Sequence, residues 1–295
     1  MPDAPSRPVF RFAPSPNGPL HLGHALSALI NESRAAEIGG RLLLRIEDID
    51  PARCRPEFET ALKADLDWLG FAYERPVRRQ SEHLDAYDRA FSTLQSAGLV
   101  YPAFLSRGEI KARVAQVESA GASWPRDPDG APLYPGPERD WNSAQRAAAL
   151  ATGRQHAWRL DMAKAVTAVG IALAWSESGE GPGGQTGEIV AAPEAWGDVI
   201  LSRPDAPSSY HLSVVVDDAL QGVSHVVRGR DLFHATSVHR LLQVLLGLPV
   251  PLYHHHRLLL DAHGRKLSKS QGDTGLTAWR LSGRSAAELR RFLLG

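Results

Sequence analysis

The chain has 295 residues, 43% hydrophobic and 22% charged, the make-up of one large or two modest globular domains that bury a core without staples. Thirty-three Lys and Arg balance thirty-three Asp and Glu, which excludes a uniformly basic nucleic-acid coat protein but leaves room for a local basic patch. The single cysteine, Cys54, excludes an internal disulfide framework and a cysteine-rich zinc site. With no long apolar run and no hydrophobic signal core, the expected setting is soluble, reducing and cytoplasmic.

Residues 8–13 (PVFRFA) predict a short buried strand, and PSPNGP at 14–19 a turn. Apolar residues then recur at helical spacing up to Gly39-Gly40, a C-terminal stop. RLLLRIEDI at 41–49 predicts a second strand, ended by Asp50-Pro51. Strand, turn, helix, strand is a βαβ unit, so the expected fold class is α/β with a doubly wound, Rossmann-like parallel sheet. Residues 56–69 and 81–97 carry further amphipathic helices. The Pro- and Gly-rich runs at 123–141 and 177–188 mark a less regular middle. The expected organisation is a first half of the core over 1–99, an insertion over 100–190 and a second half over 191–295. In that second half SVVVDDAL predicts a buried strand end, with Asp217 and Asp218 on opposite faces in structural or positioning roles. Residues 230–248 predict an amphipathic helix, 252–260 a strand-like segment, and the last twenty residues one helix, over 285–295.

Two segments carry chemistry. In PSPNGPLHLGH, His21 and His24 flank Gly23 where a strand passes into a helix. A helix N-terminus attracts phosphate, glycine admits a close approach, and imidazoles can donate to charge developing on a phosphoryl group. In GRKLSKSQG, Lys266, Ser268 and Lys269 follow a glycine turn and suit a pyrophosphate leaving group. Taken singly, the first also describes a loop with exposed histidines and the second a solvated basic loop. The run His254-His255-His256 is expected to serve substrate-side packing or nucleotide contact, because extended neighbours alternate faces and no acid or cysteine lies at metal-ligand spacing.

Together, HLGH and KLSKS on a doubly wound frame resemble the two signature motifs of class I aminoacyl-tRNA synthetases. RFAPSPNGPLHLGH, RLLLRIEDIDPAR and SYHLSVVVDDALQGVSHVVRGRDL are similar to the glutamyl subgroup, over nearly the whole chain. Only 25 residues follow Ser270, leaving no room for a helical anticodon-binding domain. That truncated architecture resembles the glutamyl-queuosine tRNA(Asp) synthetase family. The resemblance implies activation of L-glutamate by ATP with Mg2+, and transfer to queuosine in the anticodon of tRNA(Asp), by a monomer. It implies His21, His24 and Lys269 as catalytic residues, and Gly23, Lys266 and Ser268 as further ATP contacts. Glutamate contacts carry over to Arg11, Phe12, Ala13, Pro14, Ser15, Glu47, Tyr210 and Arg228. Chemically, two carboxylates and an ammonium call for arginine forks and an acid, and Glu47 is the natural partner of the ammonium. Arg11 and Glu47 could equally form a strand-end ion pair with each other. Many relatives hold zinc with three cysteines and a tyrosine. The corresponding positions here are Ala103, Leu105, Tyr134 and Glu138, so no structural zinc is expected. A compact synthetase charging a tRNA 3′ end, a glutamate ligase acting on another acceptor and a non-enzymatic RNA-binding module are the alternatives.

Overall fold

The computed structural model describes residues 7–260 and 275–295. Its first elements are β1 (Val9–Phe12), α1 (Leu22–Glu37), β2 (Arg41–Ile46), α2 (Pro56–Leu69), β3 (Glu74–Arg79) and α3 (Leu84–Ser96). The middle of the chain supplies β4 (Val100–Ala103), α4 (Arg107–Ser119), α5 (Ser143–Ala151), β5 (Ala157–Leu160), α6 (Met162–Val169), β6 (Ala174–Glu177), β7 (Gly187–Val190) and β8 (Ile200–Ser202). The remainder supplies α7 (Tyr210–Leu220), β9 (His225–Gly229), α8 (Thr236–Leu245), β10 (Leu252–His256), α9 (Leu276–Leu281) and α10 (Ala286–Leu294).

The main sheet has the order β3-β2-β1-β9-β10-β6-β7. Every neighbouring pair is parallel except β6–β7. Strands covered on both faces need apolar residues on both, and all four residues of β1 are buried. Leu26 and Leu29 of α1 pack with Leu44 of β2, Leu62 and Leu66 of α2 and Leu289 of α10 in one core cluster. A second cluster joins Leu212 and Val214–Val216 to Val238, Leu241 and Leu242 of α8. The chain leaves β1 toward β2 on one side and returns through β9 on the other, so the strand order reverses at β1. In open α/β sheets that switch point forms a crevice at the carboxyl ends of the strands. No helix among the described residues is long and apolar enough to cross a membrane.

Three expectations differ from the structure. SVVVDDAL lies in α7, not in a strand end. The valines are buried on every side, and a continuously apolar run has no period to separate helix from strand. The available signal was Ser209, whose hydroxyl caps the helix by accepting the Leu212 N–H at 3.3 Å. The tail holds two helices, α9 and α10, rather than one. Sheet membership does not follow the expected insertion over 100–190. β6 and β7 belong to the main sheet, whereas β8 joins β4 and β5 in a separate antiparallel sheet. The Gly-rich 177–188 run spans the turn of the β6–β7 hairpin.

Candidate active site

A cleft of about 360 Å³ opens at the carboxyl ends of β1 and β9, against the start of α1. It is lined by all of the expected glutamate contacts (Arg11 to Ser15, Glu47, Tyr210 and Arg228) and by His21, Gly23 and His24. Lys266, Ser268 and Lys269 lie outside the described residues.

The turn after β1 is stitched to the end of β2. Ser15 donates its hydroxyl to the Glu47 carbonyl at 2.8 Å, and the Glu47 N–H donates to the Pro14 carbonyl at 3.1 Å. His21 is the N-cap of α1. Its Nδ1 accepts the Gly23 N–H at 3.1 Å, while His24 Nδ1 accepts the His21 N–H at 3.1 Å. Their rings lie 3.8 Å apart. With both Nδ1 atoms accepting, each neutral ring carries its proton on Nε2. Gly23 has a reason the sequence did not show. A Cβ there would sit 2.9 Å from Cε1 of the capping His21 ring, so the glycine protects the cap as well as bordering the cleft.

Below the cleft runs a buried charge network. Arg11 donates Nε–H and Nη2–H to Asp218 at 3.0 and 3.5 Å, and Nη1–H to the Val227 carbonyl at 3.4 Å. A guanidinium has five N–H groups, so one on each Nη has no acceptor among the described residues. Arg45, fully buried, donates to Glu47 at 3.0 Å and to Asp218 at 2.7 Å. Arg11 and Glu47 are therefore not each other's hydrogen-bond partners; Arg45 and Asp218 stand between them. Burial pushes the Glu47 carboxyl up, with Arg45 and Arg11 opposing. Burial also works against ionised Asp218, but Arg11 and Arg45 outweigh it and hold that carboxyl below the usual range.

Because α7 is a helix, Asp217 and Asp218 diverge by about 100° rather than alternating across a sheet. Asp217 turns away from the cleft to accept from Arg78 at 2.7 Å, Gln80 at 2.9 Å and the Tyr87 hydroxyl at 2.9 Å. Both acids thus have the structural or positioning roles expected of them. Sequence reading missed Arg45. Its signal was a charge inside the apolar run of β2, a position tolerated only where a buried acid answers it.

Arg228 is 5% exposed. It donates to His255 Nε2 at 3.0 Å, His239 Nδ1 at 3.1 Å, the Tyr210 hydroxyl at 3.3 Å, Thr236 Oγ1 at 2.7 Å and the Leu232 carbonyl at 3.2 Å. The histidine run has divided duties. His254 meets the Ser178 hydroxyl, His255 is buried beside Glu177, and His256 borders the cleft. The acid that local spacing lacked comes from β6, and no group of three His, Cys, Asp or Glu placed to hold a metal occurs among the described residues.

At the positions corresponding to the relatives' zinc ligands, Tyr134 packs on Ala103 and Tyr101, with Leu105 against them. The Tyr134 hydroxyl accepts the Leu105 N–H at 3.2 Å and donates to Glu138 at 3.1 Å, and Glu138 accepts the Phe104 N–H at 3.2 Å. Arg159 covers the Tyr134 ring, 4.0 Å from its centroid. This donor set does not fit zinc: there is no thiolate, and the two oxygen-bearing side chains already serve the backbone and each other.

A second cleft of about 480 Å³ adjoins the first and shares Ser15, Glu47 and Tyr210 with it. Its far wall includes Arg53, Tyr134, Arg159 and Arg203.

The sequence matches the family described as "tRNA synthetases class I (E and Q), catalytic domain" over residues 9–166 and 180–291. It is 47% identical to a glutamyl-Q tRNA(Asp) synthetase of Rhodobacter capsulatus over 289 residues, 97% of this chain and 99% of that one. It is 35% identical to a glutamate–tRNA ligase of Prochlorococcus marinus, covering 96% of this chain but 57% of the relative. The fold is similar to the crystal structure of a glutamate tRNA ligase from Elizabethkingia meningosepticum in complex with its amino acid. That match has a TM-score of 0.73 and 26% identity, covering 90% of this chain and 53% of that one. Motifs, sheet topology and these matches agree, and the chain belongs to the class I tRNA synthetases of the glutamate and glutamine group.

Proposed function

We propose that the protein activates L-glutamate with ATP and transfers it to queuosine in the anticodon of tRNA(Asp). The observation that carries the first half is charge complementarity. Two buried guanidinium groups, Arg11 and Arg228, and one carboxylate, Glu47, line a single cleft. That is the inverse of glutamate's two carboxylates and one ammonium. Arg11 has N–H groups to give on both Nη atoms. Arg228 has none, so a carboxylate would take over one of its acceptors' places. Of the five acceptor residues Tyr210 and Leu232 line the cleft, and the Tyr210 contact is the longest of the five.

In this reading the substrate α-carboxylate attacks the α-phosphorus of ATP. The bond to the β-phosphate oxygen breaks, giving glutamyl-adenylate and pyrophosphate. The attacking group is already an anion, so the barrier is lowered by positioning and charge stabilisation rather than by a base. The Nε2–H groups of His21 and His24 would donate to the phosphoryl oxygens, with Lys269 serving the leaving pyrophosphate. Magnesium would travel with the nucleotide, whose phosphate oxygens supply its ligands. An acceptor hydroxyl then attacks the activated carbonyl and releases AMP.

The acceptor rests on the near full-length similarity to the Rhodobacter glutamyl-Q tRNA(Asp) synthetase. The second cleft, which meets the first at Ser15, Glu47 and Tyr210, would give the acceptor its approach. The test is glutamate transfer from ATP to tRNA(Asp) with and without queuosine. Labelling of only the modified tRNA is expected. Labelling that does not depend on queuosine, at a 3′ end, would favour the activity named for the Prochlorococcus relative.

A further inference from the structure

We propose that Glu177 and His255, neither of which lines the cleft, are positioning residues that set the affinity for glutamate by fixing the guanidinium of Arg228. The proposal rests on Arg228 contacting substrate glutamate.

Arg228 is a buried cation with no carboxylate within ion-pair distance among the described residues. All its acceptors are neutral: two imidazoles, two hydroxyls and a carbonyl. A buried charge without an immediate partner is costly, and a negative charge is present one side chain further on. Glu177 and His255 are both buried, and His255 Nδ1 lies 2.5 Å from Glu177 Oε2. Arg228 therefore reaches its protein counter-charge through an imidazole, and a substrate carboxylate, by displacing one neutral acceptor, would give it a direct anionic partner.

Donor and acceptor chemistry fixes the tautomers. A guanidinium only donates. His255 Nε2 must accept from Arg228, so its proton is on Nδ1 and is donated to Glu177. His239 Nδ1 must likewise accept from Arg228, so its proton is on Nε2, 3.2 Å from His211 Nδ1. The whole string, Glu177–His255–Arg228–His239–His211, has one consistent protonation pattern. Glu177 is itself locked. Its Oε1 accepts the backbone N–H groups of His255 and Gly179, each at 2.8 Å. The ring of Tyr253, stacked parallel to His255, lies under the Arg228 guanidinium.

That lock makes E177Q an isosteric test. The amide oxygen must stay on the two backbone N–H groups, so the NH2 faces His255 Nδ1. Nδ1 is then forced to accept and the ring proton moves to Nε2, where it confronts the Nε–H of Arg228. Two donors face each other, and the guanidinium is displaced from its present pose. Outer-sphere partners of this kind change affinity or activity by roughly 10–100-fold when altered in metal sites, and a comparable rise in the KM for glutamate is expected. The KM for ATP should stay within about twofold, since neither Glu177 nor His255 lines the cleft that His21, Gly23 and His24 border.

The experiment measures ATP–pyrophosphate exchange for E177Q, H255Q, H255L and R228K, with thermal midpoints alongside. H255Q can present its amide oxygen to the Arg228 Nε–H, so it should rescue glutamate KM relative to H255L. Nitrogen-15 shifts of His255 should report Nδ1–H in the parent and Nε2–H in E177Q. An unchanged glutamate KM in E177Q and H255L, with R228K impaired, would overturn the positioning role while leaving the Arg228 assignment intact. Equal rises in both KM values, or equal losses in H255Q and H255L, would reduce the pair to a structural role and also overturn it. No effect of R228K on glutamate KM would remove the underlying assignment and the proposal with it.

Discussion

Arg11 and Arg45 share Asp218 as a buried counter-charge, and the two arginines approach it from adjacent parallel strands. Removing one partner of a buried pair leaves the other charge uncompensated, at a cost of about 3–5 kcal/mol. Asp218→Ala should lose stability on that scale and raise the KM for glutamate, because Arg11 would no longer be aimed. Arg41 and Glu74 form an ion pair of similar length with both side chains about 40% exposed. Glu74→Ala should cost less than about 1 kcal/mol, as solvent-screened pairs do. Denaturant midpoints for the two variants check the contrast; equal losses would mean that burial does not govern these pairs. At this scale the sequence was partly legible. Arg11, Glu47, Tyr210 and Arg228 are visible from the motifs that contain them. Arg45 and Asp218 lie 173 residues apart and Glu177 and His255 lie 78 apart, and no local spacing announces such a partner.

The start of α1 shows how one element would carry the phosphate chemistry proposed above. His21 caps the helix, His24 anchors the His21 backbone, and Gly23 leaves the space that the capping ring fills. Gly23→Ala puts a methyl group 2.9 Å from that ring, so the ring must leave the cap. Losing one preorganised donor of this type costs roughly 10²-fold in rate, and loss of a cap about 1 kcal/mol. Pyrophosphate exchange at saturating substrates should fall accordingly; an unchanged rate would detach the cap from catalysis. The segment around Tyr134 makes a different point. Tyr134 and Glu138 close their hydrogen bonds on the backbone of Phe104 and Leu105, where relatives are expected to use a metal. Tyr134→Phe should therefore cost on the order of 1–3 kcal/mol by leaving the half-buried Leu105 N–H without its acceptor and buried Glu138 without that donor. Elemental analysis of protein purified without a histidine tag should find zinc well below one per chain, and stoichiometric zinc would contradict the hydrogen-bonded reading. Elements with a clear period and clear stops, such as α1 and β2, were readable from sequence. α7 was not, because burial on all sides erases the period. Nor was the sheet to which β6, β7 and β8 belong, because long-range pairing leaves no local trace.

Across the whole molecule, buried histidines concentrate around β9, β10 and the helices that pack on them, and this concentration sets a pH dependence. Burial, with Arg228 adding to it, lowers His211 to about 4 and His239 well below its ordinary value. Burial, with Arg34 adding to it, lowers His254 to about 4. His225, His255 and His256 move in the same direction, again chiefly by burial. In the unfolded chain these groups return to about 6.5. As pH falls from about 6.5 toward 4, the unfolded state takes up protons that the folded state refuses. Stability therefore drops through that window, by up to about 1.4 kcal/mol per pH unit for each fully buried histidine. Above pH 7 both states are neutral at these positions, and the contribution is flat. Glu47 and Asp65, whose carboxyls are pushed up chiefly by burial, oppose the trend only where carboxylates titrate, lower in the range. Thermal midpoints between pH 7.5 and 4.5 should hold steady at first and then fall steeply below about 6.5. A midpoint unchanged down to pH 5 would mean that the histidine string carries protons in the folded state, which the donor-only guanidinium of Arg228 forbids for His255 and His239.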